Sequence, residues 1–470
     1  MAEYEGKEIV GTPKQFAIYL IVNSAIGFGL YYLLRDMRQT LATTIFIALV
    51  IGTLMFWRFR VAIAFIGIVV LLITRTIDLK HTIEFMSLDV IIFLVGMMVT
   101  VGLLRRSGFF RWLLAKGLQL SNFGPNRLML IMMALAAVMA AMVDEVTSIL
   151  FITALVLDLC DFYKVNPARY VISVVMATNI GSSWTVLGNP IGILIALRSG
   201  LNFEDFITNA LPPGVISLIS IIVISLLWQR GDLRLLKGKI DAASVDKRRS
   251  FLNELTTVQD RGLFTGSAII FILVIIFIAL HHRLEIMLGL EHNTLLVATS
   301  IAGAGIVMLW QRALARELLT ADVDWWTLVF FMFLFAKAGA IEYVGVTDVI
   351  SDALFKVGGG NLLVLVPIIL WAAGLLSAAC DNVLVVATFI PVIQSLSVDL
   401  GTNALWWALL FGGCYGGNMT MVGSTANIVA LGILEYRGGV HMTLGFWIKI
   451  GLLGSLIPMA IGTIALLIIG

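Results

Sequence analysis

Charged residues are scarce in this 470-residue sequence, in which Asp, Glu, Lys and Arg together make up 13% and hydrophobic residues 60%. A soluble domain has roughly a quarter of its residues charged, so this composition excludes a soluble globular protein. The three cysteines, Cys160, Cys380 and Cys414, are odd in number and lie in apolar surroundings, which excludes a disulfide framework. The ATP-binding pattern G-x-x-x-x-G-K-[ST] is absent.

Long apolar runs fill the chain instead, and they carry no charge except Asp89 and Lys449. Examples are residues 41–57, 61–74, 88–104, 264–280 and 447–469. Each run is about long enough to cross an apolar bilayer core of ~30 Å, and roughly twelve such segments can be counted. The sequence therefore predicts an all-α polytopic protein of the cell membrane, in contact with the lipid bilayer.

One hydrophilic segment, residues 230–262, interrupts this pattern near the middle of the chain. It holds eight Lys and Arg residues against five Asp and Glu residues. A basic excess in a short loop indicates the cytoplasmic side of the membrane. We therefore expect an N-terminal half of residues 1–229, a cytoplasmic linker of residues 230–262, and a C-terminal half of residues 263–470.

The two halves carry corresponding residues, which predicts an internal duplication. An offset of 237 positions carries Asp144 onto Asp381 and the glycines of "VGLLRRSG" onto those of "AGAIEYVG". An offset of 235 positions relates a second set of residues, in which Gly181, Thr185 and Gly188 correspond to Gly416, Thr420 and Gly423. A loop deletion of two residues between the two blocks accounts for the difference.

Two polar segments, "NIGSSWTVLGNP" and "YGGNMTMVGSTAN", interrupt hydrophobic helices at equivalent places in the two halves. Gly costs about 1 kcal/mol and Pro about 3 kcal/mol relative to Ala inside a helix. Lipid offers the freed backbone groups no hydrogen bonds, so such breaks are kept inside protein or line a cavity. Matching breaks indicate a transporter's binding site. Close helix packing is the alternative, but it does not explain the amides Asn179, Asn189, Asn418 and Asn427.

Adjacent carboxylates, Asp144 and Glu145, lie in the apolar stretch "VMAAMVDEVTSILFITAL". A charge at the bilayer centre costs ~2.5–3.5 kcal/mol, so these side chains are not expected to face lipid. Their apolar flanks are somewhat short for full crossings, which favours a re-entrant hairpin with the polar residues at its tip. Asp381 and Asn382 are framed in the same way. The alternative is an exposed loop between two ordinary spans.

From about Phe85 to its end the chain resembles the ion-transporter superfamily. The resemblance rests on the patterns D-[EN]-V, N-I-G-x-x-x-T-x-x-G-x-P and G-G-N-x-T-x-x-G-x-x-x-N. The superfamily includes arsenite/antimonite permeases, citrate and dicarboxylate transporters, the P-protein group and one class of sodium/proton antiporters. It implies a secondary transporter with two inverted repeats, each contributing a re-entrant hairpin and an unwound helix. It also implies a homodimer, in which a mobile transport domain moves, elevator-like, against a scaffold, here mainly residues 16–104 and 264–345.

The resemblance also implies which residues bind the substrate or coupling ion. The two hairpin tips and the two unwound segments, residues 179–188 and 416–423, contribute them. They are Asp144, Glu145, Thr147, Asn179, Gly181, Thr185, Gly188, Asn189, Asp381, Asn382, Gly416, Gly417, Asn418, Thr420, Gly423, Ser424 and Asn427. Two positions depart from the arsenical-permease and P-protein pattern: Glu145 replaces the more usual Asn, and Trp184 replaces a small residue.

Three carboxylates around one cavity repel anions unless protons or cations neutralise them first. Hard cations favour carboxylate and carbonyl oxygens, and buried neighbouring carboxylates are not all ionised together, so one is expected to carry protons. We therefore expect proton-coupled exchange of an inorganic ion or small oxyacid, similar to that of arsenical permeases. The alternatives are a sodium/proton or other cation antiporter, a cation-coupled carboxylate transporter, and a passive channel.

An enzyme is not expected, because an intramembrane aspartyl protease would not need duplicated breaks and the chain lacks the pattern G-x-G-D. No cofactor and no nucleic-acid partner is expected; the coupling ion is H⁺ or Na⁺. Cys380 and Cys414 are either metalloid ligands or small core residues. The histidines His281, His282 and His292 flank a span, as interfacial residues or as a metal site. Residues 108–120 are amphipathic and predict an interfacial or connecting helix.

Overall fold

The structure, a computed structural model, describes residues 12–121, 124–242, 244, 253 and 255–469 and contains no β-strand within them. The helices are α1 (Pro13–Leu34), α2 (Met37–Met55), α3 (Arg60–Ile73), α4 (Leu79–Phe85), α5 (Leu88–Arg106), α6 (Phe109–Leu120), α7 (Pro125–Met142), α8 (Glu145–Tyr163), α9 (Ala168–Gly181), α10 (Pro190–Ser199), α11 (Phe203–Trp228), α12 (Arg230–Ala242), α13 (Arg261–Leu288), α14 (Thr294–Trp310), α15 (Ala315–Ala321), α16 (Trp325–Tyr343), α17 (Val346–Gly358), α18 (Leu362–Ala379), α19 (Asn382–Leu400), α20 (Ala404–Gly416), α21 (Thr425–Gly438) and α22 (Leu444–Ile469).

Ten helices in the described part of the chain are long and apolar enough to cross a membrane. Roughly twelve spans were expected, and some of the apolar segments counted in the sequence form shorter helices. The run at residues 61–74, for example, forms α3, which has only 14 residues. Helix α1 fully buries only Asn23 and exposes most of its apolar side chains, as a helix that faces lipid does.

The chain divides into two compact units, one formed by Met1–Ile91 with Asp324–Leu354 and the other by Ile92–Val323 with Phe355–Gly470. Residues 92–104 and 264–323, which the predicted scaffold includes, belong to the second unit. Close packing holds them there: a Cβ on Gly96 would lie 2.6 Å from the backbone of Ser300. The buried carboxylate of Asp322 also forms ion pairs with the two arginines that end α5.

The first unit encloses two cationic side chains among its helices. Lys337 of α16 is 1% exposed, and its Nζ donates to the carbonyl of Ile63 at 3.3 Å. Gly67 of α3 makes room for it, since a Cβ there would lie 2.4 Å from Nζ. Arg60 is also buried, over the Trp57 ring.

Two predicted connecting segments lie in the second unit. Residues 109–120 form α6, which buries Phe110, Leu114 and Leu118 and packs against α7 and α8. The predicted linker begins with α12, an amphipathic helix that buries Leu233, Leu236 and Ile240. Linker residues 243, 245–252 and 254 lie outside the described part of the chain, and the cytoplasmic location of the linker stays a prediction.

Candidate functional site

Both predicted hairpin tips are turns between two packed helices of the second unit. Helix α7 ends at Met142, and Asp144 caps α8 by accepting a hydrogen bond from the Thr147 amide at 2.7 Å. Asp381 caps α19 in the same way, because its Oδ1 accepts from the Val383 amide at 3.0 Å. At each tip a carboxylate therefore stands at a helix N-terminus, where the partial positive charge stabilises it.

The two helices of the first hairpin are longer than the sequence suggested. Helix α7 has 18 residues and α8 has 19, so each measures about 27–29 Å at 1.5 Å per residue. Both qualify as candidate membrane spans. The argument that the apolar segments beside Asp144 and Glu145 are too short to cross the membrane was therefore wrong. That this hairpin enters the membrane and turns back stays a prediction.

Both predicted helix breaks are present. Helix α9 ends at Gly181, and α10 starts only at Pro190, capped by Asn189, which accepts from the Gly192 amide at 2.8 Å. In the second half α20 ends at Gly416, and α21 starts at Thr425, capped by the Ser424 hydroxyl. The helices are thus discontinuous at the two places where the sequence carries its Gly- and Asn-rich patterns.

Corresponding hydrogen bonds attach each break to the hairpin of its own half. The Thr185 hydroxyl donates to the carbonyl of Ala141, next to the end of α7. The Thr420 hydroxyl donates to the carbonyl of Ala378, next to the end of α18. The two threonines differ by 235 positions and the two alanines by 237, the offsets found in the sequence. Each bond satisfies a carbonyl that the helix end leaves open.

The glycines that end α9 and α20 allow backbones to touch. A Cβ on Gly181 would lie 2.2 Å from the carbonyl oxygen of Ala137 in α7. A Cβ on Gly416 would lie 2.2 Å from the carbonyl oxygen of Gly374 in α18. No side chain fits at either position, so the repeated glycines have a packing role. Within the breaks, a Cβ added to Gly188, Gly417 or Gly423 would lie 2.1, 2.8 or 2.6 Å, respectively, from a backbone carbonyl oxygen of the same break.

An amide network joins the two breaks to each other. Asn179 Nδ2 donates to Oδ1 of Asn418 at 2.9 Å and to Oδ1 of Asn427 at 2.8 Å. Asn427 in turn donates to the carbonyls of Gly417 and Thr420, both at 2.8 Å. The three asparagines are fully buried. The network therefore fixes the unwound segment of the second half against the end of α9.

Glu145 borders this network, and its carboxylate oxygens have few hydrogen-bond partners. The Ser424 hydroxyl donates to Asn179 Oδ1 at 3.1 Å and is 3.5 Å from Glu145 Oε1. Glu145 is only 2% exposed, and its Oε2 makes no hydrogen bond of ordinary geometry; the same holds for the buried Nδ2 of Asn382, although the two side chains lie near each other. Buried polar groups in native proteins are nearly always paired, so these two groups are exceptions to the usual pattern.

The other predicted polar residues lie at the same place. Asp381 accepts at Oδ2 from the Thr425 hydroxyl at 2.6 Å. Asn189 donates to the Ser182 hydroxyl at 3.0 Å and to the Cys414 sulfur at 3.1 Å. Thr425 and Ser182 were not among the predicted residues. Thr425 directly follows Ser424, and Ser182 directly follows Gly181. Their hydroxyl groups, next to predicted site residues, were the signal by which the sequence could have identified them.

Asp144, Glu145 and Asp381 make no ion pair within the described part of the chain. Asp381 and Asp144 both lie near enough to Glu145 to repel its negative charge. No group of three or more His, Cys, Asp or Glu side chains in the described ranges is arranged to hold a metal ion. Glu145 therefore has two carboxylates near it, and none of the three is neutralised by an ion pair among the described residues.

The remaining candidates lie outside this cluster or at its edge. The Trp184 ring packs against Gly214 of α11, where a Cβ would lie 2.2 Å from Nε1. His281 is buried, with Nδ1 2.7 Å from the carbonyl of Ile278. The rings of His282 and His292 have centroids 5.3 Å apart. All three cysteines are buried free thiols, and Cys414 contacts the cluster through Asn189.

Comparisons with known proteins give consistent results. The family model described as Citrate transporter matches residues 41–412. A Mycobacterium bovis protein named Uncharacterized transporter Mb2703 is 33% identical over 365 residues, which cover 76% of this chain and 80% of that protein. The P protein of Homo sapiens is 26% identical, over 77% of this chain and 51% of that protein.

The fold also resembles a solved structure. The Alcanivorax borkumensis YdaH transporter, whose crystal structure is described as revealing an unusual topology, superposes with a TM-score of 0.53. The superposition covers 80% of this chain and 84% of that one at 15% identity. At this identity the similarity concerns the fold alone.

Proposed function

Because the chain belongs to the citrate transporter family, a branch of the ion-transporter superfamily that its motifs predicted, we propose that it exchanges an inorganic ion or small oxyacid against protons. It is a multi-pass membrane transporter. The proposed substrate site is the buried cluster between the two hairpin tips and the two helix breaks. The observation that carries the proposal is the closeness of Asp144 and Asp381 to Glu145, which borders the amide network, with no ion pair to any of the three among the described residues.

The charge of the cluster supports this substrate class. Four helices begin at the cluster, namely α8, α10, α19 and α21, and four end there, namely α7, α9, α18 and α20. A helix N-terminus carries about +0.5 elementary charge and a C-terminus about −0.5, so the helix dipoles roughly cancel. The carboxylates then decide the sign of the local field, which favours a cation or a neutral solute over an anion.

Proton coupling follows from the closeness of three carboxylates. Asp144 and Asp381 both lie near Glu145, whose buried Oε2 makes no hydrogen bond of ordinary geometry. Burying several ionised carboxylates together is costly, and protonation of one of them removes that cost. An entering cation supplies the same neutralisation, so a cation and a proton compete for the cluster. Competition of this kind produces exchange when the cluster carries the cation across in one direction, releases it, and returns with protons in the other direction.

Proteoliposomes that contain a pH-sensitive dye test the proposal. Addition of sodium, potassium, arsenite or silicic acid outside should change the internal pH for one of these solutes and show saturation. The Asp144→Asn, Asp381→Asn double variant should remove the change, whereas Asp161→Asn, an exposed carboxylate on α8, should keep it. A flux that is unchanged by the double variant contradicts the proposed site.

Cation-coupled carboxylate transport is the second candidate, and the description of the family model favours it. An anion such as citrate enters a cluster of this charge only after protons or cations neutralise it. Uptake of labelled citrate that depends on inward sodium or proton gradients would select this function. A sodium gradient that alone moves protons would select sodium/proton antiport, and a flux without saturation or counterflow would select a channel.

The transport cycle that we propose rests on the duplication. Corresponding threonine and glycine contacts in the two halves support two structural repeats. Inverted repeats give alternating access when one of them moves relative to the other around a central site. We propose that the hairpins and breaks move together as a transport domain in an elevator-like manner, and that the protein is a homodimer. Crosslinks from a cysteine at position 144 that never change with substrate or pH would contradict this motion.

A further inference from the structure

A basic groove lies in the second unit at the start of α7, the end of α11 and the first turns of α12. Its volume is about 670 Å³. Four cationic side chains line it, namely Arg127, Arg230, Arg234 and Lys237, and the described lining includes no acidic side chain. A cavity with this lining offers a concentrated positive charge, which attracts an anion with several oxygen acceptors.

The cationic side chains are not neutralised by neighbours within the described part of the chain. The acidic residue on the first turn of α12, Asp232, forms its ion pair with Arg169 instead, at 2.9 Å. None of the four lining cations takes part in an ion pair between described residues. The start of α7 adds to the positive charge, because its N-cap, Gly124, has no side chain to satisfy the first amides.

The wall of the groove beside these cations is apolar. It includes Leu226 and Leu227 of α11 and Leu233 of α12. Helix α11 is a candidate membrane span that ends at Trp228, so the groove lies where that span meets the membrane surface. A soluble anion gains nothing from an apolar wall. A phospholipid does, because its acyl chains lie next to its phosphate and can pack against the leucines.

Arg127 is not required by the fold of the hairpin. At the offset of 237 positions Arg127 corresponds to Val364, near the start of α18. The second hairpin thus begins with an apolar residue at the place where the first has an arginine. If the hairpin fold needed an arginine at this place, both hairpins would be expected to have one. A role that only the first half performs explains why only Arg127 is cationic.

We propose that the basic groove binds the phosphate group of an anionic phospholipid. Arginine forks hold phosphate oxygens in bidentate fashion, and the leucines accept the upper part of the acyl chains. Basic pockets between helices at the cytoplasmic surface are where anionic headgroups bind, and the predicted sidedness of residues 230–262 agrees with that location.

Thermal unfolding of the full chain in neutral-detergent micelles tests the proposal. The protein is titrated with short-chain phosphatidylglycerol, short-chain phosphatidylcholine or inorganic phosphate. Phosphatidylglycerol should raise the unfolding midpoint in a saturable manner, and phosphatidylcholine should not. In the Arg230→Gln, Arg234→Gln double variant the apparent affinity should fall about fivefold for each charge lost.

Two controls separate binding at the groove from general effects. Lys239→Gln removes an exposed charge from α12 outside the groove and should keep the wild-type affinity. Arg230→Lys with Arg234→Lys keeps the charge and should retain most of the effect, even if the glutamine variant folds poorly. An equal shift with inorganic phosphate that is lost in the glutamine variant supports the groove with a free anion as ligand. A shift that the glutamine variant retains, or no shift with either phosphate compound, overturns the proposal.

Discussion

Asn179 Nδ2 donates a hydrogen bond of 2.9 Å to Oδ1 of Asn418, which lies 239 positions later in the chain. Both side chains are fully buried. Because this bond joins the end of α9 to the unwound segment after α20, the two halves share one polar cluster rather than containing one each. Transport and stability should both depend on this junction.

Replacement of Asn179 by Leu should destabilise the protein without changing the size of the side chain greatly. The change leaves Asn418 Oδ1, Asn427 Oδ1 and the Ser424 hydroxyl with fewer partners. Each buried group without a partner costs about 1–3 kcal/mol. A double-mutant cycle of Asn179→Ala with Asn418→Ala should give a coupling energy of about 0.5–3 kcal/mol in thermal or denaturant unfolding. Additive effects would show that the hydrogen bond contributes nothing.

The conservative variants Asp144→Asn and Asp381→Asn should each reduce transport to background or uncouple it from protons, while the protein stays folded. Asparagine caps a helix about as well as aspartate does, so the bonds from the Thr147 and Val383 amides can persist. Only the charge is removed. Flux and internal pH are measured in the same proteoliposomes, with Asp161→Asn as the matched control. Normal pH-dependent flux in the double variant would make the carboxylates structural.

Glu145→Gln should cost less transport than either aspartate variant. The equivalent position at the second tip is already a neutral amide, Asn382, and glutamine keeps an oxygen that can accept from Ser424. Initial rates over a range of external pH provide the comparison. A loss as complete as that of Asp144→Asn would show instead that the charge of Glu145 is essential.

Alanine at Gly181 or Gly416 should destabilise the protein, because the added Cβ would lie 2.2 Å from a backbone oxygen of the neighbouring helix. Overpacking of this kind costs about 1–3 kcal/mol. Gly305→Ala is the matched control: this helical glycine has nothing within 4 Å of an added Cβ, and alanine there should be neutral or stabilising by up to about 1 kcal/mol. Unfolding midpoints in one detergent decide the outcome, and equal effects at the three positions would contradict the close approach.

The helix breaks show how far a local pattern predicts structure. Gly, Asn and Pro act on the residues beside them, so residues 179–188 and 416–423 were predicted to interrupt helices, and they do. The corresponding positions of Thr185 and Thr420 also followed from the sequence offsets. Their acceptors, the carbonyls of Ala141 and Ala378, did not, because a backbone carbonyl leaves no mark in the sequence.

By itself the sequence determined the membrane class and the two helix breaks, because hydropathy and helix-breaking residues depend on near neighbours, whereas the duplication stays a prediction. Only the tertiary structure decided how these parts combine. It paired Asn179 with Asn418 and Thr425 with Asp381, and it joined α5 to α14 and α15 in one unit. It also brought Arg127 to α12, more than a hundred positions later. Each of these contacts joins segments that are distant in the chain, and such pairings are fixed by helix packing rather than by local preference.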